Sequence, residues 1–152
     1  MNMEKKFELT DNFIINAFGV KLFQIKCTKS FKYAKEGDLG GYVEKDENLD
    51  QESDAWVYGN ARVYGDARVY GNADIENDNN HCGFDCFGSC NRHTHAYLTK
   101  DNKVEITCGC FRGSIEEFEK EVEKTHSGKI YEKQYKAIIN VIKIKFGLTD
   151  LI

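Results

Sequence analysis

The stretch "DAWVYGNARVYGDARVYGNADI", Asp54 to Ile75, repeats nearly the same six residues four times. Each hexad has an alanine and, two positions later, a branched aliphatic residue; in the first three hexads a glycine and then Asn or Asp follow. Glycine with Asn or Asp is a turn signal, because these residues adopt left-handed backbone angles at low cost. Each hexad therefore predicts a short strand and a corner, with the branched residue pointing inward.

The hexads resemble the hexapeptide repeat of left-handed β-helices, in which three hexads make one coil. The alternative is an antiparallel meander, which would align the tyrosines of the repeat on one face. Four hexads make only about one and a third coils, and a solenoid needs about three stacked units to close its core. The preceding "LGGYVE", the C-terminal region or another subunit must therefore cover the ends. We expect Trp56 and the tyrosines to be exposed for subunit contacts.

Composition and charge exclude several classes of protein. The formal net charge of the 152 residues is -4, whereas a general binder of nucleic-acid polymers needs a broad basic footprint. No apolar run approaches the roughly 20 residues of a membrane span, and the start "MNMEKKFELTDNF" has no apolar stretch suited to a secretion signal. We therefore expect a cytoplasmic protein without a membrane partner. Its six cysteines should be thiols or metal ligands rather than disulfides.

The sequence predicts an α+β protein with two regions. Residues 1–77 form an N-terminal β region, in which the hexads at 54–77 make a short left-handed β-helix-like stretch. Residues 78–152 form a C-terminal domain, a β-hairpin packed by two helices. Ser114 followed by Glu117 is a capping box, so the first helix begins there. Both helices carry an apolar stripe at helical spacing, and these stripes should cover the apolar face of the hairpin.

The segment "HTHAYLTKDNKVEITCGCF", His93 to Phe111, predicts a hairpin with its turn at Asp101 and Asn102. A two-residue loop would place two histidines opposite two cysteines on one face, which is a donor set for zinc. A type I turn with Asn102 in the left-handed conformation shifts the pairing by one residue. This second register collects the apolar residues on one face, so we favour it. It pairs Leu98 with Val104, Ala96 with Ile106 and Thr94 with Cys108.

In the favoured register Cys108 and Cys110 become small core residues. The opposite face collects polar and aromatic side chains: His93, His95, Tyr97, Thr107 and Phe111. Because the histidines and the cysteines then lie on different faces, we expect no bound metal. We also expect no cofactor.

Two segments suit an anionic ligand. The free amides at the Ser114 helix start, beside Gly113 and Arg112, are a candidate anion site, unless the cap satisfies itself and Arg112 is merely solvated. The segment "FGSCNRHTH", Phe87 to His95, makes a tight polar loop followed by an arginine that can grip phosphate with two hydrogen bonds. A small positive pocket with aromatic walls suits a nucleotide.

The remaining chemistry-bearing residues indicate no enzyme. Cys82, Cys86 and Cys90 leave three residues between successive thiols, whereas zinc knuckles usually leave two, so we favour a thiol-bearing loop over a metal site. Cys90 can be paired with His93 or His126, but no nucleophile motif surrounds them. The sequence also has no glycine-rich phosphate loop and no suggestive pair of carboxylates.

Three segments resemble a family of small phage and prophage proteins: "GDLGGYVE", the hexads and "CGCFRGSIEEFEKEVEKTH". These proteins join a hexapeptide-repeat region to a compact C-terminal domain, and the likeness spans residues 36–147. The strand–strand–helix–helix order also resembles the phage Thoeris anti-defence sponges. Those proteins sequester cyclic ADP-ribose isomers, and some bind cyclic oligonucleotides. This chain departs from the expected "GSRN" at Cys90, with Arg92 two residues later. The second likeness implies ligand contacts at Gly88, Ser89, Asn91, Arg92, Phe111, Arg112 and nearby positions.

We therefore expect a phage-encoded, homo-oligomeric, non-enzymatic protein that sequesters a small nucleotide immune signal in the cytoplasm of an infected bacterium. One alternative is an oligomeric β-helix module with a structural or protein-interaction role in a phage. Another is a hexapeptide-repeat acyltransferase, a class whose sites lie between subunits of longer solenoids. The candidate ligand-binding residues are Gly88, Ser89, Asn91, Arg92, His93, His95, Tyr97, Phe111, Arg112, Gly113, Ser114 and His126.

Overall fold

Residues 4–148 are described by the computed structural model. Within this range the chain forms ten strands in three sheets and two α-helices, which confirms the predicted α+β class. The predicted regions extend beyond it by residues 1–3 and 149–152. The strands are β1 Phe7–Ile15, β2 Lys21–Cys27, β3 Leu39–Val43, β4 Trp56–Val57, β5 Arg62–Val63, β6 Asp74–Ile75, β7 His81–Phe87, β8 Arg92–Leu98, β9 Val104–Cys108 and β10 Phe111–Ser114. The helices are α1 Ile115–His126 and α2 Ile130–Lys145.

The hexads form the core of the N-terminal half. Their alanines and branched residues are all fully buried: Ala55, Val57, Ala61, Val63, Ala67, Val69, Ala73 and Ile75. The glycines of the first three hexads have φ angles of +53°, +62° and +64°, so the corners lie where the sequence predicts them. Strand β4 pairs with β6 in parallel, eighteen residues or three hexads further along. The antiparallel meander therefore does not describe this pairing, while the left-handed sense of a β-helix stays a prediction.

Strands β1, β2 and β3 form an antiparallel sheet whose last strand pairs in parallel with β5. Two glycines of β3 allow its backbone to touch the hexads. A Cβ on Gly40 would lie 2.6 Å from the carbonyl oxygen of Val57, and a Cβ on Gly41 would lie 2.7 Å from that of Ala61. The "LGG" of the sequence thus places the N-terminal sheet directly against the first two hexads.

Trp56 is buried, and the expectation that it would be exposed for subunit contacts is wrong. Only 1% of its surface is exposed. Phe7 and Phe31 enclose the indole, with ring centroids 6.4 Å and 5.4 Å away. The N-terminal sheet therefore covers aromatic surface of the hexads that the sequence left free. Tyr64 is still 42% exposed.

The second large sheet is antiparallel, in the order β10-β9-β8-β7. It confirms the favoured hairpin register, pairing Leu98 with Val104, Ala96 with Ile106 and Thr94 with Cys108. Asn102 has a φ of +58°, as the type I turn requires. Strand β7 corrects the predicted thiol-bearing loop, because Cys82 and Cys86 lie in this strand and Cys90 lies in the turn that follows.

The two helices cover the apolar face of this sheet, as predicted. Ser114 caps α1 in a complete capping box: its Oγ accepts from the amide of Glu117, and its amide donates to Glu117 Oε1 at 3.0 Å. Cys108 is buried in the resulting core, but Cys110 is exposed, since it lies beyond the end of β9. Neither helix of the described chain is long and apolar enough to cross a membrane.

Candidate functional site

Two cavities lie against the sheet of β7 to β10. One opens beside α1 and α2 and is called here the helix-side cavity; the other opens towards the hexads and is called the coil-side cavity. The helix-side cavity measures about 280 Å³ and the coil-side cavity about 340 Å³. The helix-side cavity is lined by Ser89, Cys90, Arg92, Cys108, Cys110, Phe111, Phe118, Glu121, Val122, Thr125, His126 and Tyr135.

The helix-side cavity brings together four predicted ligand-binding residues: Ser89, Arg92, Phe111 and His126. The register explains three of them. The β7–β8 turn precedes β8, and the β9–β10 turn follows β9. Because β8 and β9 are antiparallel neighbours, these two turns lie at the same end of the sheet. His126 arrives from the last turn of α1.

Arg92 supplies the positive charge of this cavity. Within residues 4–148 no carboxylate lies within ion-pair distance of its guanidinium. The Cys90 thiol is a neighbour of this guanidinium, and hydrogen bonds to Ser89 and then to Arg92 lower the pKa of that thiol. A Cβ on Gly109 would collide with the guanidinium, so the bare glycine gives Arg92 its place. The guanidinium therefore keeps donors available for an anion.

Aromatic rings form the walls of the helix-side cavity. Phe118 contacts Phe111 and Tyr135, with ring centroids 5.1 Å and 5.5 Å away. Phe111 pairs with Cys108 and packs against the helix-side core, so its predicted place on the polar face of the hairpin is wrong. The His126 ring stacks on Tyr135 at 5.5 Å and 27°. Burial, followed by the neighbouring Cys108, raises the pKa of Tyr135, so its hydroxyl stays protonated. A planar base could stack on such walls.

Gly88 and Asn91 have a structural role in the turn that carries Arg92. Both adopt left-handed backbone angles, with φ of +81° and +49°. The Gly88 amide donates to Gln134 Oε1 at 2.9 Å, and a Cβ at Gly88 would collide with the Tyr135 hydroxyl. The amide of Gly88 is thus occupied by the protein itself.

The structure separates Arg112 from the helix-side cavity. Its Nε donates to Glu105 Oε1 at 2.9 Å, and its guanidinium lies 5.6 Å from the ring centroid of Tyr70 in the hexads. Gly113 and Ser114 continue β10 into α1, where the capping box uses the amide of Ser114. The helix start therefore satisfies itself, which was the alternative to an anion site.

Tyr97 is also outside the helix-side cavity. It is fully buried in the hexad core, and its hydroxyl donates to Glu105 Oε2 at 2.5 Å. Burial and this hydrogen bond raise the pKa of Tyr97. The polar face of the hairpin is thus largely an interface with the hexads, to which Thr107 adds a hydrogen bond to the carbonyl oxygen of Arg68.

His93 and His95 line the coil-side cavity, beside a residue that was not among the candidates, His81. The sequence offered one signal for this grouping, the presence of three of the four histidines between positions 81 and 95. Phe118 and Tyr135 were likewise assigned only to the apolar stripes of the helices. In the described chain no group of three or more His, Cys, Asp or Glu side chains has metal-binding geometry, and the absence of a metal stays a prediction.

Comparisons with protein families, with curated proteins and with solved structures find no match to this chain.

Proposed function

We propose that the chain binds a small nucleotide in the helix-side cavity and sequesters it without turnover. The observation that supports this function is Arg92, a cation without a carboxylate partner among residues 4–148, at a cavity walled by aromatic rings. A phosphate pairs well with a guanidinium, and a base stacks on aromatic faces. The resemblance to anti-defence sponges adds the biological setting, a phage-encoded protein that captures a nucleotide immune signal inside an infected bacterium.

The size of the cavity limits what one chain encloses. Ligand pockets commonly measure about 300–1,000 Å³, and the helix-side cavity, at about 280 Å³, is at the small end. It suits one base with its phosphate. A cyclic ADP-ribose isomer or a cyclic dinucleotide would extend beyond the mouth, where Cys110 and Ser89 are exposed.

In this proposal the hexads are the rigid support for the sheet that carries the helix-side cavity. A left-handed β-helix would hold the sheet of β7 to β10 rigidly, since both Tyr97 and Thr107 are anchored in or against the hexads. A rigid mount suits a sponge, because preorganised sites lose less entropy on binding.

Calorimetry with cyclic ADP-ribose isomers and cyclic dinucleotides tests the proposal. We expect the Arg92→Ala variant to bind about 10- to 150-fold more weakly, because losing a hydrogen bond to a charged group costs about 1.5–3 kcal/mol. The matched control is Lys133→Ala, which removes one exposed positive charge from α2. No binding by the parent chain, or equal binding by the parent and Arg92→Ala, would contradict the proposal.

The absence of turnover needs its own measurement, because Cys90 lies in the cavity and its thiol has a lowered pKa. Protein incubated with the ligand is denatured, and the released material is analysed by mass spectrometry. We expect the ligand to be recovered unchanged from the parent and from Cys90→Ser. Conversion by the parent but not by Cys90→Ser would identify a thiol enzyme instead.

A structural or protein-interaction module is the second candidate function. The tip of the β1–β2 hairpin favours it, because Phe18 is 82% exposed there and Ile15 is 60% exposed. Apolar side chains at such a tip are typical of a contact surface. If no nucleotide binds, this function takes the place of the first.

A further inference from the structure

Five side chains beneath the coil-side cavity form one unbroken chain of hydrogen bonds. Its order is Asp78, His81, His95, His93 and Asp85. The successive contacts are Asp78 Oδ1 to His81 Nε2 at 3.2 Å, His81 Nδ1 to His95 Nε2 at 2.9 Å, His95 Nδ1 to His93 Nε2 at 2.9 Å, and His93 Nδ1 to Asp85 Oδ1 at 2.5 Å. All six ring nitrogens are therefore engaged.

The sheet sets this geometry. His93 and His95 are two residues apart in β8, so their side chains lie on the same face. Gly83 of β7 pairs with His95. A Cβ on Gly83 would lie 2.6 Å from His93 Cε1 and 2.8 Å from His95 Nδ1. The missing side chain lets the two imidazoles stack, at 5.1 Å and 25°. His81 approaches His95 from the start of β7, with ring centroids 5.1 Å apart.

The number of hydrogen atoms needed for these four hydrogen bonds determines the charge of the three imidazoles. Each of the four contacts needs one hydrogen, and the two carboxylates at the ends can only accept. The four hydrogens therefore belong to the three imidazoles. Three neutral imidazoles have only three N–H groups between them. One further proton is required, so the three rings together carry one positive charge.

His95 is the neutral ring of the three. It is 4% exposed, and burial, followed by its two histidine neighbours, lowers the pKa of His95 well below its usual value. It must then donate from one nitrogen and accept at the other. The extra proton resides on His81 or on His93, and these two states interconvert when His95 gives up the hydrogen on one nitrogen and takes one at the other.

The charged side chains around the three imidazoles have a net charge of −1, which one extra proton neutralises. Arg62 of the second hexad donates from Nε to Asp78 Oδ2 at 3.0 Å, and its amide donates to Asp78 Oδ1 at 2.8 Å. Burial disfavours the ionised carboxyl, but the bonds from His81 and Arg62 outweigh it and lower the pKa of Asp78 to about 2. Two carboxylates, one guanidinium and one shared proton sum to zero. Tyr64 and Cys82 are the other titratable residues that line the cavity.

We propose that this chain of five residues is a binding site for a single proton, which ties the sheet of β7 to β10 to the second hexad. The tie runs from β8 through His95 and His81 to Asp78, and from there to Arg62 in β5. Without the proton, three N–H groups would serve four contacts, so one contact would bring two lone pairs together with no hydrogen between them. With a second proton, His95 would have to accept at both nitrogens, which a neutral imidazole cannot do. Either change breaks one link.

Nitrogen NMR of the full chain labelled with ¹⁵N-histidine tests the proton count, because ring ¹⁵N shifts distinguish protonated from bare nitrogens. We expect His81, His93 and His95 to carry four hydrogens in total near neutral pH, with His95 neutral. His126, which is not part of this hydrogen-bond chain, serves as the internal reference. Three hydrogens in total, or five, would overturn the proposal.

A variant at the exposed end tests the charge balance with little risk to folding. The side chain of Asp85 is 68% exposed, and Asp85→Asn keeps an acceptor for His93 while removing one negative charge. An adjacent opposite charge favours the charged form by about one to three pH units, and exposure places this case at the low end. We expect the shared proton to be released about one pH unit lower than in the parent. The control is Asp11→Asn, an exposed position in β1. An unchanged release pH in Asp85→Asn would overturn the proposal.

Discussion

Trp56 shows that the burial of an aromatic side chain depends on neighbours from other parts of the sequence. As one aromatic of a four-hexad repeat it has no partner within the repeat, which predicts exposure. In the folded chain the rings of Phe7 and Phe31 surround it, and both come from outside the repeat. The large apolar ring thus joins the N-terminal sheet to the hexads.

We predict that Trp56→Ala destabilises the protein by about 3–5 kcal/mol, since it removes a fully enclosed aromatic side chain and leaves a cavity. The measurement is urea unfolding of the variant and the parent, compared by midpoint at unchanged slope. Tyr64→Ala is the control, because Tyr64 occupies a hexad but is 42% exposed, and surface substitutions usually change stability by less than about 0.5 kcal/mol. Equal destabilisation by both variants would contradict the role given to Trp56.

Arg92 and Arg112 show why only part of the candidate site could be predicted. Arg92 lies at the start of the hairpin and Arg112 follows its second strand, and antiparallel pairing brings these two positions to the same end of the sheet. The apolar pattern predicted this pairing correctly. The sequence could not show that Arg112 meets Glu105 across the β9–β10 pair and Tyr70 on the hexads. Strand β10 was not predicted, and the C-terminal region was only one of three possible covers for the hexads. Arg92 meets no such carboxylate partner in the described chain.

Strand β7, like β10, was not predicted from sequence patterns, and its residues explain why. "HCGFDCF" has no β-branched residue, and it includes a glycine. Cys86 has a φ of +69°, and the pairing with β8 shifts between Phe84 and Phe87. A strand of this kind depends on its neighbour for stability rather than on local propensity. The hexads and helices, by contrast, follow patterns that their own residues impose.

Strand β3 carries a prediction at the level of elements, because its two glycines face hexad backbone. A methyl group on Gly41 would lie 2.6 Å from Val57 Cγ1 and 2.7 Å from the carbonyl oxygen of Ala61. The carbonyl cannot rotate away as a side chain could, so the sheet must shift. We predict that Gly41→Ala costs about 1–3 kcal/mol of stability through this overpacking.

Urea unfolding measures this cost, and Ser127→Ala is a control, because it changes a single heavy atom at an exposed position beyond α1. Native-state hydrogen exchange adds the location: amides of β3 and β5 should lose protection first in Gly41→Ala. A variant as stable as the parent, with unchanged exchange, would show that β3 does not press on the hexads.

At the level of the whole molecule, the chain supplies covers for its own short repeat. The sheet of β1 to β3 joins the hexad core through Phe7 and Ile25, and the sheet of β7 to β10 joins it through Tyr97. The sequence predicted self-association because the ends of the repeat would be uncovered. These sheets cover the hexads, so that reason no longer applies. Apolar surface elsewhere supports the same prediction. On α2 both Val141 and Ile144, three residues apart and thus on one face, are 49% exposed.

We predict on this basis that the chain forms a homo-oligomer of at least two 17.4 kDa subunits, joined through the exposed face of α2. Burial of such a face removes apolar area from water at about 25 cal/mol per Å², whereas a lysine placed in it must be desolvated. Light scattering at micromolar concentration should give at least twice the subunit mass for the parent and a single subunit mass for Ile144→Lys. Ser127→Lys adds the same charge at an exposed position between α1 and α2, outside this face of α2, and should leave the assembly intact. A parent that scatters only as a 17.4 kDa monomer would contradict the prediction, and an Ile144→Lys variant that still assembles would move the interface away from α2.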